Sequence, residues 1–278
     1  MPANDLGKGP IGLIAGNGAF PKLFARAAAQ AGHRVVAIAH RGETAPDLQQ
    51  AVDALTWVRV GQLGAIFKTF ERAGVRHAAM AGGIDKRRLL GHFRPDFAGL
   101  RLLWRLARRR DDAMLKAVAS TFEARGIHII SSTVFLPEVL APVGVLGQVV
   151  PSQRVQRDLA EGLRLAVAIG ALDVGQTVAL KEGTVVALEA LEGTDGCIER
   201  AGALTGGRGV VIVKAAKPNQ DMRFDVPTIG PKTVAVAAAA GVAAIGLEAG
   251  RTLILEADET IQAANRAGVA LVGLEGAR

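Results

Sequence analysis

The sequence predicts an α/β protein: a Rossmann-like N-terminal domain followed by a second α/β domain. Three observations point there. Short Val- and Ile-rich runs alternate with helix-period segments from residue 11 to residue 272. Half of the 278 residues are hydrophobic while only 4% are aromatic, with no Tyr, so aliphatic side chains must build the core. The 34 Gly suit the many tight turns that such alternation needs. The length fits two ordinary domains. Periodicity breaks at Pro137, Pro142 and Pro151. The chain is therefore divided into a nucleotide-binding domain at 1–136, a linker at 137–153 and a catalytic α/β domain at 154–278.

Residues 11–15 form the first strand. Gly16-Asn17-Gly18 turns the chain into a helix over 21–31, with Pro21 in its first turn and Gly32 after its end. A strand at 35–39 completes a β-α-β unit, and the glycine turn stands where phosphates meet a helix N-terminus. The third glycine of G-x-G-x-x-G is absent. The second strand ends in His40-Arg41 where an NAD site wants an acid, so another nucleotide is expected. A strand at 56–60, a helix at 62–73 stopped by Gly74, and a strand at 77–81 lead to Gly82-Gly83-Ile84-Asp85-Lys86. A second glycine turn at a strand end points to a cleft at the carboxyl edge of the sheet. Gly16, Asn17, Gly18, Gly82, Gly83, Asp85 and Lys86 are its candidate substrate residues. A helix over 112–125 and a strand over 128–131 close the domain, and Thr133 beyond that strand is counted with them.

The second domain opens with a helix over 153–169, a turn at Asp173-Val174-Gly175-Gln176 and a strand at 177–180. A strand at 184–190 runs into Glu189-Ala190-Leu191-Glu192-Gly193-Thr194-Asp195, three carboxylates at a strand-to-helix junction. They suit Mg²⁺, a ribose or a sugar hydroxyl; the alternative is that Thr194 or Asp195 simply caps the helix carrying Cys197. A buried strand at 210–213 and a helix at 234–240 follow, and the segments at 251–255, from 258, and at 269–272 are scaffold.

Between that strand and that helix lies the stretch richest in chemistry, residues 214–233. It holds three Lys, one Arg, two Asp, an Asn, a Gln and three Pro. Pro218, Pro227 and Pro231 restrict the backbone. Lys214, Lys217 and Lys232 supply positive charge, and Asp225 sits among Phe224, Val226 and Pro227, where a carboxylate needs a cation to stay ionised cheaply. Lysines with acids in one stiff loop suit a metal-bridged phosphate. Asp225 is the expected Mg²⁺ ligand and catalytic carboxylate, also orienting the attacking water, with Lys214 and Lys217 as catalytic cations. Thr228, Gly230, Lys232 and Thr233 join Glu189, Glu192, Thr194 and Asp195 as candidate substrate residues.

Charge is local. Nine Lys and Arg stand against one Asp within residues 86–110, a surplus of +8 in a chain whose net charge is +7. Leu100, Leu103, Trp104 and Ala107 share one helical face, and Arg101, Arg105, Arg108 and Arg109 share another. Such a helix suits an anionic membrane or an acyl chain. Nucleic acid is excluded as a partner by the dearth of stacking aromatics. The lone Cys197 rules out an intrachain disulfide and a cysteine zinc site, and the scattered His residues show no ligand spacing. No signal-peptide pattern precedes residue 11, so a cytoplasmic location is expected.

Together, Gly16-Asn17-Gly18 with Pro21, Asp173 to Gln176, Glu189 to Asp195, and Lys214 through Thr233 resemble the UDP-2,3-diacylglucosamine pyrophosphatases of lipid A biosynthesis. The branch is the one unrelated to calcineurin-like metallophosphoesterases, whose D-x-H and G-N-H-D signatures are absent. The resemblance spans essentially the whole chain. It implies a cytoplasmic, Mg²⁺-dependent hydrolase, peripheral at the inner face of the inner membrane. It would cleave UDP-2,3-diacylglucosamine to UMP and 2,3-diacylglucosamine 1-phosphate, with the substrate held between the domains. Another nucleotide-sugar enzyme and a non-catalytic nucleotide sensor are the alternatives. The missing ribose acid opposes an NAD-type enzyme, and acids beside the lysines oppose a pure anion binder.

Overall fold

The computed structural model describes residues 3–84, 96, 99, 111–218, 220–223 and 226–276. The chain forms two compact units. Unit 1 holds Met1–Pro137 together with Asp221–Phe224; unit 2 holds Glu138–Gln220 and Asp225–Arg278.

Unit 1 is a five-stranded sheet. Strands β1 (Ile11–Ala15), β2 (Val35–His40), β3 (Ala54–Val58), β4 (His77–Ala81) and β5 (His128–Ile130) lie in the order β3-β2-β1-β4-β5, every pairing parallel. Helix α1 (Phe20–Gln30) connects β1 to β2, α2 (Leu63–Ala73) connects β3 to β4, and α3 (Asp111–Glu123) precedes β5. β2 is buried along its full length, as a parallel strand covered on both faces must be. Phe67, Phe70 and Phe122 pack on Val36, Ile38 and Ile129, so three of the few aromatics do serve this core. The order reverses between β1 and β4, which is where doubly wound sheets take ligands. The basic segment 86–110, apart from Asp96 and Gly99, lies outside the described residues. Asp96 itself accepts from the Gly64, Ala65 and Gly99 amides.

Unit 2 carries a six-stranded mixed sheet, β6-β13-β11-β9-β7-β8. Its strands are β6 (Gly144–Val145), β7 (Thr177–Lys181), β8 (Thr184–Leu188), β9 (Val210–Lys214), β11 (Val242–Glu248) and β13 (Ala270–Leu274). β9, β11 and β13 run parallel; β6, β7 and β8 add antiparallel edges. Short β10 (Thr228–Ile229) and β12 (Leu253–Ile254) pair apart from it. Helix α4 (Gln153–Ala171) covers one face with Leu159, Leu163 and Ala166. Helices α5 (Gly193–Thr205), α6 (Pro231–Ala239) and α7 (Ala257–Ala267) cover the other around Cys197, Ile212 and Ile245.

One expectation changes, and one unassigned segment gains an element. The stretch 137–153 is not a free linker: from Glu138 on it belongs to unit 2, where β6 pairs with β13 and the Ala141 amide donates to the Thr252 carbonyl. The segment after the helix, 241–250, is assigned to no element from the sequence and holds a strand. Gly241, at φ +68°, ends the helical stretch, and the rest becomes β11, an interior strand of the sheet.

Candidate functional site

In unit 1 the two glycine turns meet at the switch point. Gly16 follows β1 and Gly82-Gly83 follows β4. The Gly16 amide donates to the Ala81 carbonyl at 2.8 Å and the Asn17 amide to the Gly83 carbonyl at 2.7 Å. A Cβ on Gly16 would overlap the Gly83 carbonyl oxygen, and one on Gly82, at φ +83°, would overlap the Asn17 carbonyl. The glycines are thus required by backbone lying on backbone, whatever else the turns do. With the first two amides engaged inside the protein, those from Gly18 onward remain for a phosphate. They lead into α1, whose N-terminus has no side-chain cap. Thr133 lies past β5 at the same sheet edge, its hydroxyl 2.8 Å from that of Ser131.

Sequence reasoning missed the carboxylate here. Glu43, in the loop after β2, accepts from Asn17 Nδ2 at 3.0 Å. It sits three residues beyond the strand end, and only the turn of the chain brings it back. His40 and Thr44 brace that loop: His40 Nδ1 and the Thr44 hydroxyl both donate to the Ala15 carbonyl, at 2.9 and 2.7 Å.

In unit 2, Lys214 ends β9 on the α5 and α6 side, continuing the alternation of Val210 and Ile212. Only 6% of it is exposed. Its ammonium donates to Thr194 Oγ1 at 2.9 Å and to the Thr228 carbonyl at 3.0 Å. Thr194 in turn donates to Glu189 Oε1 at 3.3 Å. A hydroxyl has one proton, so donating to Glu189 turns its lone pairs toward Lys214. Thr177 is then the donor in its 3.4 Å contact with Thr194. Glu189 is 8% exposed, and its Oε2 has no hydrogen-bond partner among the described residues. Beside this group, Lys232 pairs with Asp195 at 2.7 Å, while Gly230 leads through Pro231 into α6, with Thr233 in its first turn.

The structure therefore gathers Glu189, Thr194, Asp195, Lys214, Thr228, Gly230, Lys232 and Thr233 at one end of unit 2. It sets two candidates apart. Lys217 lies against Gly170 on the α4 side and pairs with Asp173 Oδ1 at 2.5 Å. Glu192 pairs with Arg200, whose guanidinium holds that carboxyl below its ordinary range. Asp225, Asp85 and Lys86 lie outside the described residues. Cys197 is no nucleophile, because burial pushes its thiol up to about 12. Glu248, also unforeseen, is buried and accepts the Ala216 amide at 2.8 Å and Arg251 Nη1 at 3.3 Å. It fixes the chain just past Lys214. No cluster of three His, Cys, Asp or Glu suited to a metal occurs among the described residues.

Comparison with known proteins adds the following. The family described as LpxI N-terminal domain matches residues 10–139, and the LpxI C-terminal domain matches residues 142–272. UDP-2,3-diacylglucosamine pyrophosphatase LpxI of Caulobacter vibrioides is 37% identical over 261 residues, covering 90% of this chain and 92% of that protein. Among solved structures, the biotin carboxylase domain of Hydrogenobacter thermophilus 2-oxoglutarate carboxylase is 15% identical over 63% of this chain and 35% of its own, at a TM-score of 0.26. An ADP complex of purK, N5-carboxyaminoimidazole ribonucleotide synthetase, is 16% identical over 71% and 45%, at 0.25. Likenesses that slight carry no argument.

Proposed function

The chain belongs to the LpxI family, and from that premise we propose that it hydrolyses the pyrophosphate bond of UDP-2,3-diacylglucosamine, yielding UMP and 2,3-diacylglucosamine 1-phosphate in lipid A biosynthesis. Water adds across the P–O–P bridge: one phosphorus gains the water oxygen, and the bridging oxygen leaves with the other phosphate. Such a reaction asks for fixed positive charge at the phosphate oxygens and little else from covalent chemistry. The observation that carries the reading is the buried Lys214 ammonium, aimed by Thr194 at the start of α5 and by the Thr228 carbonyl just ahead of α6. Lys232, exposed at 86%, is positioned to add charge from the first turn of α6. In unit 1 the turn at Gly16, Asn17 and Gly18 and the amides leading into α1 take the uridine nucleotide end.

Mg²⁺ belongs to the proposal. It takes one or two protein carboxylates with waters and phosphate oxygens, so the lack of a dense acidic cluster among the described residues is compatible with it. Asp225 would hold it. The described residues that follow are anchored, the Val226 carbonyl accepting from the Thr228 hydroxyl at 2.8 Å and the Pro227 carbonyl from the Leu253 amide at 2.7 Å. When bound, the ion would neutralise charge on the bridging phosphates.

The test is to incubate the protein with UDP-2,3-diacylglucosamine and follow UMP release, with and without chelator. Release that stops with chelator and returns with Mg²⁺ is expected. Asp225→Ala should stay folded and lose turnover by orders of magnitude. No UMP under any condition would end the hydrolytic reading, and metal-independent turnover would end the magnesium one.

A further inference from the structure

Glu189 Oε2 is an acceptor sealed from solvent and given no donor among the described residues, although Oε1 of the same carboxylate is bonded to Thr194. A buried acceptor left without a donor loses its solvation with nothing in return, the more so when charged, so such an atom points to something that arrives. Its surroundings say what. The neighbouring side chains are the hydroxyls of Thr177 and Thr194 and, through Thr194, the Lys214 ammonium. A divalent cation wants several oxygen ligands and is repelled by an ammonium. A neutral N–H or O–H donor suffers neither objection.

We infer that Glu189 Oε2 receives a hydroxyl or amide N–H of the acylated glucosamine, next to the phosphate that Lys214 meets. This rests on the proposed reaction and assigns the sugar 1-phosphate half of its substrate to unit 2. A lysine and a carboxylate joined through one threonine match a phosphate and a hydrogen-bond donor on adjacent atoms of one sugar. Thr194 couples the two, because its single proton goes to Glu189 and its lone pair to Lys214.

The experiment is calorimetric binding of 2,3-diacylglucosamine 1-phosphate and, separately, of UMP to the full chain and to Glu189→Gln. Glutamine keeps the size of the side chain. With its oxygen on Thr194, it turns an NH₂ toward the incoming donor. E189Q should weaken the sugar phosphate by roughly ten- to a hundredfold, the range for a hydrogen bond to a charged group. UMP affinity should stay within about twofold. Unchanged sugar-phosphate affinity would mean that Oε2 holds only a water, and equal losses for both ligands would mean a general disturbance; either overturns the inference. Glu189→Asp, which withdraws the carboxylate by one methylene, gives the same comparison should E189Q not fold. A wild-type protein that binds the sugar phosphate selectively through Glu189 yet releases no UMP from the intact substrate would fault the proposed reaction and not this subsite.

Discussion

His40 is a neutral base closed in under the carboxyl end of β1. Burial lowers its pKa below the ordinary value, outweighing the bond to Ala15 and the charge of Glu43. In the folded state it stays uncharged at a pH where the unfolded chain takes up a proton. The stability it contributes is therefore complete above about pH 6.5 and is lost as pH falls from there toward the folded value. Thermal unfolding followed from pH 8 to pH 5 should show a falling midpoint below about 6.5, and His40→Gln should flatten that part of the profile. Thr194 makes the sharper functional test. Thr194→Ser keeps the hydroxyl that orients Lys214 and should keep turnover within a few-fold. Thr194→Val removes it, leaving Lys214 and Glu189 without their shared partner, and should lower turnover by about tenfold or more. Equal rates for the two variants would take Thr194 out of the mechanism.

At the level of elements, the segment leaving β9 is held by β11. Glu248, the last residue of β11, accepts the buried Ala216 amide and ties Arg251, which also donates to the Lys217 carbonyl at 3.2 Å. Glu248→Leu would strand that amide and one guanidinium contact, and urea unfolding should show a loss of about 2–4 kcal/mol. The sequence reading of these elements succeeded where signals are local. The first glycine turn, the α1 that follows it and the buried runs of β2 and β9 each announce themselves within a dozen residues. Non-local facts were hidden. β11 went unassigned because its Ala- and Gly-rich run continues the apolar character of the helix before it, with only the left-handed backbone of Gly241 between them. The linker was inferred from prolines, yet β6 is recruited by β13, more than a hundred residues away. The site was legible as residue types and not as partners: Lys214 and Lys217 read as one charge cluster, whereas Lys214 ends β9 on the α5 and α6 side and Lys217, past the strand, lies against Gly170 of α4. Glu43 escaped because the expected ribose acid was sought at the strand end, not three residues beyond it.

For the whole molecule, the surplus positive charge of residues 86–110 is the feature suited to an anionic surface. No helix among the described residues is long and apolar enough to cross a membrane. Binding to vesicles containing anionic lipid should be measurable at low salt and fall steeply by 0.5 M. Replacing Arg101, Arg105 and Arg108 by Gln should weaken it, and vesicle binding that is equal for both proteins at low salt would refute the idea. The division of the chain has a consequence of a different kind, in time. Unit 1 contains Asp221–Phe224 besides Met1–Pro137, and Arg223 there donates to Glu123 and to the Ile129 carbonyl of the same unit. At about 5–20 residues per second, a ribosome needs roughly 4–17 s after Pro137 to deliver those last residues. Through that interval the nascent unit 1 lacks its closing segment while nearly the first two-thirds of unit 2 emerges behind it. The two units are thus expected to mature together rather than in succession, and pulse-labelled nascent chains released at residue 137 should be digested by protease faster than those released beyond residue 224.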